Sequence, residues 1–181
     1  MTATNTAAKY RPREKTFRTA VVKAAFFAMG RVLESAAVLD EDVKREVDSW
    51  KDPFTFMFYV MPKGPAMVAQ KKNGLLRYLG SEEIDADLVF YFKNMEAAFM
   101  ICSGQIGTPQ AYAEHRAALK GDASEALSVI RALNYVQMYL FPRFMAKKVL
   151  KRVPPMTPRK WLNRLAIFTV GLPLGLGRFK G

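Results

Sequence analysis

The chain has 181 residues, half of them hydrophobic, a formal charge of +12, one cysteine and one histidine. That length suits one domain with extensions, and the apolar content supports a packed core rather than a disordered chain. A lone cysteine excludes an intramolecular disulfide framework and suits a reducing compartment; with a lone histidine it also leaves no zinc site of usual make-up.

Residues 1–16 read as a polar, basic, flexible arm. Basic residues 9–18 precede "TAVVKAAFFAMG", the order of a secretory leader, but Lys23 interrupts the run. The spacing of Val21, Ala24, Ala25, Ala28, Val32 and Leu33 predicts a helix over 17–39 instead, with a cleaved leader as the alternative. Asp40 can cap a second, short helix through "EDVKREVDSW", which Asp52-Pro53 stops. The period then changes from helical to extended: "FTFMFYV" (54–60) and "AMVAQK" (66–71) are strands around the turn "KGP". Asn73-Gly74 predicts a hairpin into "LLRYLG" (75–80), and "ADLVFYFK" (86–93) is a fourth strand. Helix followed by meander indicates α+β rather than alternating α/β.

Asn94 predicts a helix cap, with the helix ending at Gly104. Thr108-Pro109 starts another short helix. "RAALK" (116–120) is a short last strand, Gly121 permits a tight turn, and Asp122 with Glu125 forms a helix-start signature. The helix that follows should run to Leu140, where Phe141-Pro142 breaks it. Strands 54–60 and 88–92 are apolar on both faces, so something must cover the second face: the N-terminal helix, the tail, a dimer partner or a lipid.

The succession from Lys51 to Tyr139 resembles the sterol carrier protein type 2 family of lipid-transfer domains. The aromatic first strand "FTFMFYV", the hairpin at "KKNG", Ala86-Asp87 before a hydrophobic strand, Gly104, and Gly121-Asp122 before the long helix carry that resemblance. It implies a five-stranded, mostly antiparallel sheet with helices on one side enclosing an apolar cavity, here with a helical C-terminal extension. It further implies a lipid, fatty-acyl or sterol-like ligand, no cofactor, no metal and no catalytic residues. The end "RFKG" departs from the peroxisomal address that eukaryotic members often carry. On this reading residues 17–142 form the lipid-binding domain and 143–181 an extension longer than the usual domain has. Phe56, Phe58, Phe90, Phe99, Ile106, Tyr112, Leu127, Ile130, Leu133 and Met138 are the candidates for the pocket wall. Met57, Met61, Met67, Met95 and Met100 are flexible side chains suited either to such a wall or to plain core filling.

Other chemistries find less support. His115 and Cys102 lie thirteen residues apart on different elements with no third orienting group. "SEEIDAD" lacks the spacing of a calcium loop, and "GLPLGLG" lacks the context of a nucleotide loop.

The charge is uneven. Residues 24–142 carry twelve basic and fifteen acidic side chains, whereas residues 143–181 carry ten basic and none acidic. In that tail, "RFMAKKVLKR" (143–152) and the segment from Thr157-Pro158 read as basic amphipathic helices. Lys147, Lys148, Lys151, Arg152, Arg159, Lys160 and Arg164 alternate with apolar residues that include Trp161 and Phe168, the composition of a segment lying among lipid headgroups. The other reading is a helix packed back on the domain with a solvated basic face, and the two can alternate if the tail gates the pocket. The longest apolar stretch, 165–177, is shorter than the ~20 residues of a membrane span. The expected partners are a lipid and an anionic membrane surface, with a homodimer or an enzyme partner as further readings. Expected localisation is cytoplasmic, with peripheral membrane contact. An accessory role, presenting a hydrophobic intermediate to an enzyme complex, is the alternative function. Nucleic-acid binding would use the same charge, but no recognition motif accompanies it.

Overall fold

Helix α1 (Arg13–Leu39) opens the fold described by this computed structural model, which covers residues 13–140 and 158–174. The basic helix expected at 143–152, with Lys147, Lys148, Lys151 and Arg152, lies outside the described residues. Val22, Phe26, Leu33 and Ala36 recur at helical spacing and form the buried stripe of α1. Asp40 breaks the helix and caps α2 (Glu41–Asp48): its Oδ1 accepts from the N–H groups of Asp42, at 2.8 Å, and Val43, at 3.2 Å. Its other oxygen accepts the Tyr139 hydroxyl. Burial, and then this carboxylate, push the tyrosine's pKa up. Lys71 is buried, its ammonium satisfied by the carbonyls of Asp48, at 3.0 Å, and Trp50, at 2.7 Å. That pairing fastens the end of α2 to the sheet.

Strands β1 (Phe54–Val60), β2 (Ala66–Lys72) and β3 (Leu75–Gly80) form an antiparallel meander. Asn73 and Gly74 take the positive φ values, 54° and 72°, that a two-residue hairpin needs. The Asp52 carboxylate accepts both of their N–H groups, at 3.0 and 2.6 Å. β4 (Leu88–Phe92) then returns parallel to β1, and β5 (Ala117–Lys120) pairs antiparallel with β4. The order β3-β2-β1-β4-β5 is the expected five-stranded, mostly antiparallel sheet. Asp87 sets the parallel register by exchanging bonds with Thr55: its N–H reaches the Thr55 carbonyl at 3.0 Å, and its Oδ2 accepts the Thr55 N–H at 2.7 Å.

Helices α3 (Met95–Cys102), α4 (Thr108–Ala113) and α5 (Ala123–Leu140) join α1 and α2 over one face of the sheet. Asn94 caps α3 and Asp122 caps α5, as expected. Gly121 cannot be another residue: its φ is 124°, and a Cβ there would stand 2.7 Å from the Asp87 carbonyl oxygen.

The second face corrects an expectation. Neither α1 nor the described part of the tail covers it, because α1 lies with the other helices on the main core. Met57, Tyr59, Ala66, Val68 and Val89 form a smaller cluster there, against which Ala86 and Tyr91 pack. The tyrosine hydroxyl of Tyr59 meets Glu83, whose bond raises its pKa. The connection from β3 to β4 must cross β2 and β1 to reach its place, and in crossing it brings "SEEIDA" over their outer face. The acidic stretch is therefore a cover.

The described tail is helix α6 (Pro158–Ala166), which widens into a π-helical segment (Ile167–Gly171) and ends in one more turn (Leu172–Leu174). It packs on α1 and α2. Ile167 is buried, and the Asn163 amide donates to the Leu39 carbonyl at 2.9 Å.

Candidate functional site

The in-register parallel pairing of β1 and β4 sets Phe58 beside Phe90, and the two rings stack 4.5 Å apart. Phe92 adds a third ring, 6.0 Å from Phe58, and Phe26 reaches down from α1 to within 5.9 Å of Phe92. These rings floor a cavity of about 250 Å³ between sheet and helices. Its walls come from Ala25, Ala28 and Met29 of α1, Ile101 and Cys102 of α3, and Ala111 and Tyr112 of α4. Ile130, Leu133, Asn134, Gln137 and Leu140 of α5, with Ala117 of β5, complete it. The small side chains of Ala25, Ala28, Ala111 and Ala117 leave the space that larger residues would fill.

Among the expected wall residues, Phe58, Phe90, Tyr112, Ile130 and Leu133 come together here. The other five do not border the cavity. Phe56 belongs to an aromatic group with Phe54 and Trp50, whose ring centre is 5.6 Å away. Phe99 lies under the Arg18 guanidinium, 5.7 Å from its ring centre. Ile106 is buried in the connection between α3 and α4, and Met138 in the main core. Leu127 is 58% exposed, because the buried stripe of α5 runs through Ala126, Val129, Leu133 and Val136 and turns it outward. The six named methionines do not line the cavity either; among the described residues Met29 does.

Sequence reasoning also missed the polar part of the wall. Gln137 Oε1 is buried without a hydrogen-bond partner among the described residues, and Asn134 also lines the cavity. The two are one turn apart on α5. Their signal in the sequence was two amides at i and i+3 inside an otherwise apolar helical face. Among the described residues no Lys, Arg, His, Asp or Glu lines the cavity.

The cysteine and histidine take separate places. Burial pushes the Cys102 thiol up to about 12, so it stays protonated at neutral pH. His115 is exposed in the turn before β5, with φ of 52°. Beside it, Arg116 Nε meets Glu114 at 2.5 Å, and Gln110 donates to the other oxygen of that carboxylate; these bonds hold the Glu114 pKa below the usual carboxylate range. The stretch is a structural joint between α4 and β5. Among the described residues no group of three His, Cys, Asp or Glu is placed to hold a metal ion.

Helix α6 has two unlike sides. Arg159 pairs with Glu41 at 2.9 Å, and Lys160 with Asp42 at 2.8 Å while lying 5.3 Å from the Tyr135 ring centre. Lys160 is thus turned inward, which corrects its expected place on the lipid-facing side. Trp161, Leu162 and Leu165 point to solvent, 58%, 68% and 63% exposed, and Phe168 is also exposed. The Arg164 guanidinium lies 5.6 Å from the Trp161 ring centre and 5.9 Å from that of Phe168. None of residues 158–174 lines the cavity, and no described helix is long and apolar enough to cross a membrane.

Neither a family model nor a curated protein matches the chain. Among solved structures it is similar to a sec-alkyl sulfatase, PisA1, at 16% identity and a TM-score of 0.38, over 49% of this chain and 14% of that one. It thus spans about one seventh of the sulfatase. It is also similar to sterol carrier protein 2 from Yarrowia lipolytica in its apo form, at 14% identity and a TM-score of 0.43, over 60% of this chain and 86% of that one. A third is UbiJ-SCP2, a ubiquinone synthesis protein, at 11% identity and a TM-score of 0.41, over 68% of this chain and 98% of that one. At such identities and TM-scores, likeness carries nothing about what this chain does. Sterol carrier protein 2 domains, the group that the order of elements resembles, are thus among the solved structures to which the chain is similar.

Proposed function

We propose that the protein binds a lipid or similar apolar molecule, without catalysis, in the cavity between sheet and helices. The observation that carries this reading is the cavity itself: about 250 Å³ of space floored by Phe58, Phe90 and Phe92 and walled largely by aliphatic side chains. Packed interiors leave few voids larger than a water molecule, so a space of this size with an apolar wall is a site for a guest. It lies just under the ~300–1,000 Å³ typical of ligand sites, which favours a slender chain over a broad rigid one.

The exposed side of α6 fits a lipid surface. Trp161, Leu162, Leu165 and Phe168 would enter the headgroup boundary, with Arg164 facing anionic lipid and the positive charge of residues 143–152 adding to the attraction. Each such basic residue contributes on the order of 1 kcal/mol near an anionic leaflet, so the attraction falls as salt rises.

Organic extraction of the purified full chain, followed by mass spectrometry, tests the first part; co-purified lipid, or uptake of a fluorescent acyl probe, is expected. An empty cavity that takes up no probe would overturn it. Sedimentation with vesicles tests the second part, with anionic vesicles retained over neutral ones. Equal affinity for both, together with salt-sensitive DNA binding, would favour a nucleic-acid role. Lipid binding without transfer between vesicles, and with a retained protein partner, would favour the accessory role.

A further inference from the structure

A second recess lies beside the first half of α1. It is an open cleft of about 770 Å³ between α1, the turn from β1 to β2, and the first turn of α3. Among the described residues it shares no wall residue with the apolar cavity. Three cations line it, Arg18 and Lys23 from α1 and Lys63 from the turn, against one carboxylate, Glu96. No ion pair among the described residues engages any of the four, whereas Lys51, Arg116, Arg131 and Arg159 each meet a carboxylate elsewhere on the surface.

The fold sets these charges in place. Lys63 takes a left-handed backbone, with φ of 53°, and its N–H donates to the Tyr59 hydroxyl at 3.0 Å. That hydroxyl also meets Glu83, which is not a wall residue of the cleft. Gly64 follows so close to β1 that a Cβ would stand 2.5 Å from the Val60 carbonyl oxygen, which accepts the Gly64 N–H at 2.8 Å. On the α1 side the Arg18 guanidinium rests over Phe99, 5.7 Å from the ring centre. A site arranged in advance loses less on binding than one that must assemble.

Like charges gathered in one cleft repel one another, and three cations against one carboxylate leave two positive charges in excess. A ligand group with two negative charges removes that repulsion and accepts charge-assisted hydrogen bonds from more than one side. An arginine fork matches phosphate oxygens in particular. Val60, Met61, Pro62 and Met95 add apolar wall for an organic part, and the volume falls within the ~300–1,000 Å³ of small-molecule sites. We infer that this cleft binds the phosphate of a soluble phosphate ester or diphosphate. It lies apart from both lipid contacts proposed above. It shares no described wall residue with the cavity, and Lys23 stands about 18 Å along α1 from Ser35, where the C-terminal segment packs, at roughly 1.5 Å per residue. The inference therefore holds or fails without them.

The test is titration of the isotope-labelled full chain with phenyl phosphate, pyrophosphate and benzoate at neutral pH and fixed ionic strength. Residues 143–181, with ten basic and no acidic side chains, attract anions too, so binding is read residue by residue from amide shifts. Both phosphates are expected to shift the amides of Lys23, Lys63, Gly64 and Met95 to saturation, and benzoate to bind at least about fivefold more weakly. Lys23→Gln and Lys63→Asn are each expected to lower phosphate affinity roughly two- to fivefold, and Glu96→Gln to raise it about twofold or more. All three side chains are exposed, and asparagine tolerates the left-handed backbone at 63, so the fold should survive; a gain in Glu96→Gln is not an effect that damage produces. Vesicles of phosphatidylcholine with phosphatidic acid present the same phosphate as a headgroup, and their retention is expected to be unchanged in the two lysine variants. Shifts confined to residues 143–181, equal affinity for benzoate and phenyl phosphate, or affinity indifferent to all three substitutions would overturn the inference. So would vesicle retention lost with the cleft lysines while the soluble phosphates fail to bind, which would make the cleft a headgroup contact. Each of these results leaves the apolar-guest reading standing.

Discussion

Gly171 lies against Ser35 so closely that a Cβ at position 171 would stand 2.5 Å from the serine hydroxyl oxygen. The approach is what seats the end of the C-terminal helical segment on α1, one turn after the buried Ile167. Gly171→Leu is therefore expected to lift residues 158–174 away from α1. Amide exchange should speed up in α6 while staying slow in β1 and β4, with a cost of about 1–3 kcal/mol, as for other overpacked contacts. Equal acceleration in the sheet would show instead that α6 is integral to the main core.

Ala28 leaves room in the cavity that a larger side chain would fill. Ala28→Phe is expected to lower affinity for an acyl probe at least about tenfold while moving the thermal midpoint by only a few degrees, because the added ring enters existing space. Calorimetry beside probe titration checks it. A large drop in the midpoint would mean the space is not open to a side chain from α1.

Ser128 ties α5 to the chain that follows α2. Its hydroxyl accepts the Trp50 indole N–H at 2.9 Å and donates to Glu46 at 3.0 Å. Glu46 in turn receives Arg131 at 2.9 Å, and that bond holds its carboxyl below the usual range. Ser128→Ala leaves a buried indole donor unpaired and is expected to cost about 1–3 kcal/mol in urea unfolding. The depressed pKa of Glu46 adds stability at neutral pH that is lost as pH falls through the carboxylate range. Glu46→Gln should therefore flatten the acid limb of the stability profile.

Burial raises Cys102 from 9.0 to about 12, and the consequence for stability has a definite sign. The unfolded chain releases the thiol proton near 9 and the folded chain does not, so the native state binds more protons between those values and stability falls as pH rises through them. Cys102→Ala should show a shallower alkaline decline. At pH 8 the thiol should resist alkylation in the native chain and react readily once the chain is unfolded in urea.

Much of the fold was legible because it is encoded locally. Asp40, Asn94 and Asp122 each precede a helix and each accepts the N–H groups of its first turn. Asn73-Gly74 forms the hairpin it predicts. The alternation in "FTFMFYV" separates Phe54, Phe56 and Phe58 from Met57 and Tyr59, which enter different clusters.

The cavity wall was legible only in part. Leu127 and Ile130 are equally apolar and sit one turn apart, yet one faces solvent and the other the cavity. The difference is a rotation of α5 about its own axis, fixed by its packing against α1 and α2 and invisible in residue type.

Taken alone, then, the sequence determined the order and kind of the elements, their caps and turns, and the apolar character of both faces of the central strands, since each depends on neighbours a few residues away. Tertiary structure alone decided that an acidic connection covers the outer face, that Lys160 turns inward to Asp42 while Trp161 turns outward, and that Ile130 faces the cavity while Leu127 faces solvent. Those outcomes depend on which distant surfaces meet, and packing between elements sets that through contacts far apart in the chain.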